Sequence, residues 1–449
     1  MSGPDATPAP VRFGDALRFW LKLGFISFGG PAGQIAIMHA ELVERRRWIS
    51  ERRFLHALNY CMVLPGPEAQ QLATYLGWLM HRTWGGVVAG ALFVLPSLVL
   101  LIALSWVYMA LGHWPVVAGI LYGIKPAVTA IVLHAAWRIG SRTLRNAWLG
   151  AVAAAAFLSM VLLNLPFPAI VLAAALCGVA GSRLAPQSFV PGGHAPAGGR
   201  TTGPALIDDA TPLPAHAHFK HRHLARVLAV GAALWLLPMG MLVAWMGIHG
   251  PYAQMGWFFT KAALLTFGGA YAVLPYVVQG AVVQYGWLTP GQMIDGLALG
   301  ETTPGPLIMV VAFVAFVGAW QSATLAAWLG TEHRFAAAAL AAVLVTWFTF
   351  LPSFVFILAG GPLVESTRGD LNLSGPLTAI TAAVVGVIAN LALFFGRQVL
   401  WPAGPAGPFD PIAAALALCA AGALFGARRG VIEVIVACGL AGLAVQALR

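Results

Sequence analysis

Long apolar runs dominate the chain. Uninterrupted ones fall at 86–110, 115–136, 147–163, 166–182, 227–248, 336–360, 376–395, 411–426 and 430–448, each near the roughly 20 residues with which a helix crosses a bilayer. Four further runs are apolar but interrupted. The run 14–40 breaks at Phe28-Gly29-Gly30-Pro31, and 55–80 breaks at Leu64-Pro65-Gly66-Pro67. The run 253–283 breaks at Phe267-Gly268-Gly269, and 292–330 at Thr303-Pro304-Gly305-Pro306. Gly and Pro stop a helix and free backbone groups, which is tolerated at membrane depth only inside protein or beside a cavity. The pattern predicts an all-α, polytopic membrane protein with broken, re-entrant helices.

The apolar pattern occurs twice. Phe19-Trp20-Leu21-Lys22, followed by Ser27-Phe28-Gly29-Gly30, matches Phe258-Phe259-Thr260-Lys261, followed by Thr266-Phe267-Gly268-Gly269. The offset from Lys22 to Lys261, 239 residues, also carries Trp48-Ile49-Ser50 onto Trp287-Leu288-Thr289 and Pro65-Gly66-Pro67 onto Pro304-Gly305-Pro306. Leu95-Pro96-Ser97 matches Leu351-Pro352-Ser353, and 124–134 matches 380–390 with the offset grown to 256. Collinear matches of this length mark an internal repeat. The division expected is a disordered tail over 1–10, a first membrane repeat over 11–182, a flexible linker over 183–225 and a second repeat over 226–449.

Composition agrees with a lipid solvent. Of 449 residues, 59% are hydrophobic and 9% charged, with a mean hydropathy of +0.82. Soluble proteins carry about 25% charged residues, so a cytosolic enzyme, a secreted disulfide scaffold and a disordered regulator are excluded. The net charge of +10 resides mostly in basic residues between apolar runs, where it sets orientation rather than binding nucleic acid. Cys61, Cys177, Cys419 and Cys438 are scattered singly, without metal or redox spacing.

Charge also orients the repeats. The loop 41–53 carries Arg45, Arg46, Arg47, Arg52 and Arg53, whereas its counterpart 284–290 carries no charge. Arg138, Arg142 and Arg145 face a single Arg397 in the same way. Equivalent loops are therefore expected on opposite membrane faces, which makes the repeats inverted. With the broken runs returning to their own side, the N-terminus, the loop 41–53 and the linker are cytoplasmic and the C-terminus periplasmic. The run 227–248 is then the odd helix that flips the second half.

Inverted repeats with discontinuous helices are a pattern of secondary transporters that bind substrate between the repeats. Helix N-termini after Gly30, Pro67, Gly269 and Pro306 would converge their free N–H groups and partial positive charge on an anion. Lys22 and Lys261, repeat-equivalent and seven residues before their Gly-Gly breaks, are expected to face it; the alternative for Lys22 is snorkelling to the cytoplasmic interface. Gln34, Gln70, Gln71, Thr302 and Thr303 supply side-chain hydrogen bonds. Glu68 and Glu301 are the acids expected to carry protons. Lys125 is a further cation of the cavity, without a repeat equivalent. Trp84, Trp106, Tyr108, Trp114, Trp148 and Trp401 read as interfacial anchors. His216, His218, His221 and His223 offer metal donors in the linker but no ordered framework, so no metal and no cofactor is expected.

Neither HExxH, GxSxG, a Walker glycine loop nor an Asp-rich metal run occurs. An enzyme acting on lipid phosphate would need a cluster of acids or histidines, and the cytoplasmic loop offers only Glu41, Glu44, Glu51 and His56. Transport without a nucleotide site must run on an ion gradient.

Phe28-Gly29-Gly30-Pro31, the basic Trp48 loop, Leu64-Pro65-Gly66-Pro67, the second copies of these breaks and Ala382-Ala383-Val384-Val385-Gly386-Val387-Ile388-Ala389-Asn390 resemble the chromate ion transporter family in its long, two-domain form. The resemblance covers nearly the whole chain outside the tail and the linker. It implies an inner-membrane protein that exports chromate, draws on the proton motive force and confers resistance, with sulfate as the natural competing anion. A transporter or channel for sulfate or another oxyanion is the alternative. The resemblance departs at Ala270, which stands where the first repeat has Pro31. Nothing in the sequence fixes the oligomeric state, and a homo-oligomer is compatible with it.

Overall fold

A computed structural model describes residues 8–28, 30–189, 204–209, 211–212, 214, 216–267, 269–367, 374–404 and 406–448. Among them the chain is helical throughout, with one isolated bridge between Ile49 and Ile207. The first half contains α1 (Phe13–Ile26), α2 (Gly30–His39, continued by a π-helical turn Ala40–Arg45), α3 (Glu51–Val63), α4 (Glu68–Leu111), α5 (Pro115–Thr143), α6 (Ala147–Leu163) and α7 (Phe167–Leu184). Helix α8 (His221–Met246) follows the linker. The second half contains α9 (Pro251–Leu264), α10 (Ala270–Val278, continued by a π-helical turn Gln279–Gln284), α11 (Pro290–Thr302), α12 (Val310–Trp320), α13 (Ala323–Leu329), α14 (Arg334–Thr367), α15 (Ser374–Leu400), α16 (Pro411–Ala421) and α17 (Val431–Leu448).

The two halves repeat one another in detail. Both π-helical turns occupy equivalent positions at the offset of 239. The N-caps Ser50 and Thr289 each accept a bond from the backbone N–H three residues on, in Arg53 and Gln292. Arg47 and Gly286, again equivalent, both have positive φ. Helix α13 falls in the insertion that raises the offset to 256. A second insertion, before α16, raises it to 264, at which α6 and α7 match α16 and α17. The matching caps are Asn146 and Asp410. The repeat therefore extends through both halves to their ends, and α8 has no counterpart.

Helix α4 is two antiparallel arms. The chain reverses at His81 and Arg82, whose φ/ψ values are −134°/33° and 58°/−159°. Small residues let the arms touch: a Cβ on Gly77 would lie 2.4 Å from the carbonyl oxygen of Gly85. Close approach of this kind replaces the hydrophobic driving force that lipid does not supply.

The loops gather at two ends of the bundle. At one end the His81 ring donates to the Val11 carbonyl over 2.9 Å, and Trp48 and Ile49 line a crevice with Leu76, Leu79 and Met80. The start of α1, the α2–α3 loop and the turn of α4 thus share one end, so both broken pairs return to the end they came from. At the other end Met255 and Trp287 both pack on Gly318, which brings together the start of α9, the α10–α11 loop and the end of α12. The second arm of α4 connects the two ends, because Trp106 near its C-terminus meets Phe335 at the start of α14. Helix α14 runs back, and near its end Glu365 accepts a 2.6 Å bond from Tyr75.

Among the described residues seven helices are long and apolar enough to cross a membrane, or eight if α12 and α13, with the 3-10 turn Leu307–Met309 that leads in, form one bent span. Helix α6 and the segment Pro411–Gly426 are shorter apolar helices. Large apolar side chains such as Leu162, Leu237 and Met241 are exposed on the outside, as lipid contact requires. The chain is a multi-pass, all-α membrane protein.

The linker departs from expectation over its described part. Leu206 donates to the Arg47 carbonyl, Ser50 to the Ile207 carbonyl, and the Arg53 guanidinium to the Thr211 carbonyl. Residues 206–209 and Thr211 are thereby docked on the α2–α3 loop, because Ile207 finds apolar cover among Leu42, Trp48 and Leu76. Helix α8 also starts at His221, earlier than the apolar pattern alone predicts. His216 and His223 lie 3.0 and 3.3 Å from the carbonyls of Trp78 and Leu358. Among the described residues no group of three or more His, Cys, Asp or Glu is placed to hold a metal.

Candidate functional site

The four predicted breaks are present. Helix α1 ends at Ile26 and α2 begins at Gly30; α3 ends at Val63 and α4 begins at Glu68. Helix α9 ends at Leu264 and α10 begins at Ala270; α11 ends at Thr302 and a 3-10 turn begins at Leu307. Gly29 and Gly268 lie outside the described residues. Gly66 and Gly305 have φ of 130° and 110°, a region that side chains with a Cβ avoid. Pro65-Gly66-Pro67 and Pro304-Gly305-Pro306 are mostly buried, whereas Gly30, Pro31, Phe28 and Phe267 are half-buried.

The breaks complete one another across the two halves. The Gly66 N–H donates to the Thr266 carbonyl over 2.8 Å, and the Gly305 N–H donates to the Ser27 carbonyl over 2.8 Å. Gly66 also lies against the Ser353 hydroxyl, and Gly305 against Ser97; these four residues form two repeat-equivalent pairs. All four breaks thus meet in one layer at the middle of the bundle.

That layer is polar and sealed. Ser27, Gln34, Gln70, Gln71, Ser97, Thr266 and Ser353 are each at most 1% exposed. The Gln34 amide donates to the Gly305 carbonyl at 2.6 Å, Gln71 to the Pro65 carbonyl at 2.8 Å and Gln70 to the Thr74 hydroxyl at 3.0 Å. Several polar atoms of the layer have no partner among the described residues: the hydroxyls of Ser27 and Ser97 and the side-chain oxygens of Gln34, Gln70 and Gln71. A buried group of this kind costs about 1–3 kcal/mol unless something binds it. Among the described residues, no atom beyond the adjacent chain comes within 4 Å of where a Cβ would stand on Gly30, which opens α2, or Gly269, the N-cap of α10.

The acids occupy the edge of this layer. Glu68 opens the first turn of α4 and is partly exposed. Glu301, in the last turn of α11, accepts a short hydrogen bond from the Tyr271 hydroxyl. Arg138 of α5 is close enough to both Tyr271 and Glu301 to act on them electrostatically. The hydroxyls of Thr302 and Thr303 bond back to the Leu299 and Gly300 carbonyls of their own helix.

The lysines are not part of the layer. Lys22 is exposed on α1, as are Leu21 and Phe25, while Phe19, Trp20, Leu23 and Gly24 are buried. Lys261 is half-buried, and its ammonium lies 5.9 Å from the Trp257 ring centre, pointing back along α9 away from the break. Both occupy the same outward helix face because the repeat preserves helical phase. Tyr108, expected as an interfacial anchor, instead donates a 2.9 Å bond to Asp295. Ser27, Ser97, Tyr271 and Asp295 are residues that sequence reasoning left without a role in the site, and Arg138 was read only as setting membrane orientation.

Residues 14–179 and 253–443 match a family described as chromate transporter. A chromate transport protein of Pseudomonas aeruginosa is 33% identical over 98% of this chain and 94% of its own. A probable chromate transport protein of Synechococcus elongatus is 27% identical over 85% of this chain and 84% of its own. A chromate transport protein of Cupriavidus metallidurans is 28% identical over 85% and 82%. No solved structure matches this chain.

Proposed function

The chain belongs to the chromate transporter family, and we propose that it carries chromate, a tetrahedral dianion, through the layer where its four helices break. The observation that carries this reading is the set of buried hydroxyls and amide oxygens, unpartnered among the described residues, in the layer where the four helices break. Anions are favoured where helix N-termini present free N–H groups and partial positive charge. Ser27 and Ser97 would add hydroxyl donors, and Gln34 and Gln70 would turn their amides toward the oxyanion. Arg138 would supply the full positive charge that Lys22 and Lys261, on the outer faces, do not bring to the layer. Glu301, held by Tyr271 near Arg138, is the acid best placed to exchange a proton against the arriving anion, and Glu68 borders the first break.

In this reading the halves are inverted repeats in the cell inner membrane. The support is that the loop after α2 and the loop after α10 gather at opposite ends of the bundle. The arginine-rich end, with Arg45–Arg47, Arg82 and Arg142, would be cytoplasmic by the positive-inside rule, together with the N-terminus and the linker. The C-terminus would lie on the other side. Rocking of one repeat against the other would expose the layer to each side in turn, and the proton motive force would drive export, giving resistance.

Inside-out vesicles containing this protein test the reading. Chromate uptake that grows with an imposed proton gradient and falls with excess sulfate is expected. Sulfate uptake without chromate uptake would overturn the substrate, and no movement of either anion by folded protein would overturn the transport reading.

A further inference from the structure

A charged cluster lies well outside the break layer. Asp295 of α11 is 2% exposed, and its Oδ2 accepts from the Tyr108 hydroxyl at 2.9 Å and lies 3.4 Å from Lys125 Nζ. Its Oδ1 is buried with no partner among the described residues. Lys125 is about one-third exposed, and Gly291, one turn before Asp295, leaves room for its ammonium: a Cβ there would meet Nζ at 3.7 Å. Along α4, Tyr108 stands eleven residues past Ser97, which places it about 16 Å beyond the break layer. It lies toward the end of the bundle that holds the α10–α11 loop.

The groups that could act on Asp295 are few. Helix α11 packs on α4, α5, α12, α15 and α17. From α5 comes Lys125 and from α4 Tyr108, while α12 has no ionisable residue. Arg397 of α15 makes no bond to Asp295, and Glu433 of α17 lies 3.9 Å from Arg429. The cluster also occurs once in a molecule that repeats its frame twice. The positions equivalent to Asp295, Tyr108 and Lys125 are His56, Val364 and Thr381. The two sides of the layer therefore differ in chemistry although they share a scaffold.

We propose that Asp295 is a second proton-binding site, remote from the anion, with Lys125 as its built-in counter-cation. A proton from water taken up at Oδ1 neutralises the carboxylate and releases the Lys125 ammonium toward solvent. The charged contact between α5 of the first repeat and α11 of the second is then lost. The bond across the repeats is thereby tied to protonation on one side only. As a step in transport this rests on the reading above; as a proton site it stands alone.

Two measurements separate these. Infrared difference spectra of the purified protein across pH should contain a protonated-carboxyl band that Asp295→Asn removes. Lys125→Met should move its midpoint by about one unit or more, the worth of an opposite charge at this range. In vesicles, Asp295→Asn should lose about tenfold of the stimulation by a proton gradient, within the usual size of a coupling between sites, and keep chromate equilibration without a gradient. An unchanged band in Asp295→Asn, or an unmoved midpoint in Lys125→Met should the Asn variant fail to fold, overturns the site. Wild-type gradient stimulation in folded Asp295→Asn overturns its part in transport. Wild-type vesicles that move no chromate defeat the transport reading, while the infrared result still decides the proton site.

Discussion

The backbone N–H of Gly66 donates to the carbonyl of Thr266, 200 positions away in the other half of the molecule, over 2.8 Å. The same bond joins Gly305 to Ser27, and each residue of one bond is the repeat equivalent of one in the other. A helix broken inside a membrane leaves backbone groups that lipid cannot satisfy. Here each break satisfies a group left open by the opposite repeat, and the remaining N–H groups and hydroxyls are available to a ligand.

Gly66→Ala and Gly305→Ala should both destabilise. The new methyl would stand 2.4 Å from the Ser353 hydroxyl in one and 2.8 Å from the Ser97 Cβ in the other, with φ well into the positive region. A strained backbone of this kind costs about 1–3 kcal/mol. Thermal unfolding in detergent should shift downward for both variants. Adding Ser97→Gly to Gly305→Ala should recover part of the loss, since only the contact and not the dihedral is relieved; additive effects would contradict the geometry.

Ser27→Ala and Ser97→Ala remove hydroxyls that have no partner among the described residues. Their folding stability should change little or rise slightly, because a buried polar group with nothing to bind is a cost. Half-saturation for chromate should rise by about tenfold, the worth of one hydrogen bond to a charged group. Concentration-dependent uptake in vesicles measures this; unaltered half-saturation in both would remove the hydroxyls from the site.

Arg138→Gln should weaken transport far more than Arg142→Gln. The first lies near Tyr271 and Glu301, whereas the second is exposed in the last turn of α5. A loss of about tenfold or more in uptake at limiting chromate is expected from removing a partly desolvated charge partner. Equal effects of the two substitutions would assign Arg138 to orientation in the membrane only.

The double variant Lys22→Ala, Lys261→Ala should keep transport within about twofold of the parent, as surface substitutions away from a site generally do. Both side chains lie on outward helix faces. Abolished uptake in correctly folded protein would mean that these faces close on the layer at another stage of the cycle.

The spans and breaks were legible because both have strong local signatures: long apolar runs, and Gly or Pro where helices stop. The repeat was legible in pairs such as Trp48 and Trp287. The same alignment already held the site hydroxyls, since Ser27 matches Thr266 and Ser97 matches Ser353, but their convergence depends on bonds between residues 200 or more positions apart. Lys22 and Lys261 misled for a related reason: their distance from the breaks is read along the chain, whereas the direction of a side chain is fixed by packing. Asp295 passed unnoticed because nothing near it in sequence marks it. Lys125 and Tyr108, which give it meaning, come from helices of the other half.

The reciprocal bonds across the breaks also bear on how the protein is made. Thr266 is synthesised 200 residues after Gly66, and Gly305 still later after Ser27. At roughly 5–20 residues per second, the first half waits on the order of tens of seconds with an unfinished interior. During that interval the Gly66 N–H lacks its Thr266 acceptor and the Ser27 carbonyl has only the Gln34 amide and not the Gly305 N–H, so water or the insertion machinery must complete them. Completion of the second half ends the wait for both at once, so assembly of the two halves is the step at which this membrane protein acquires a closed core.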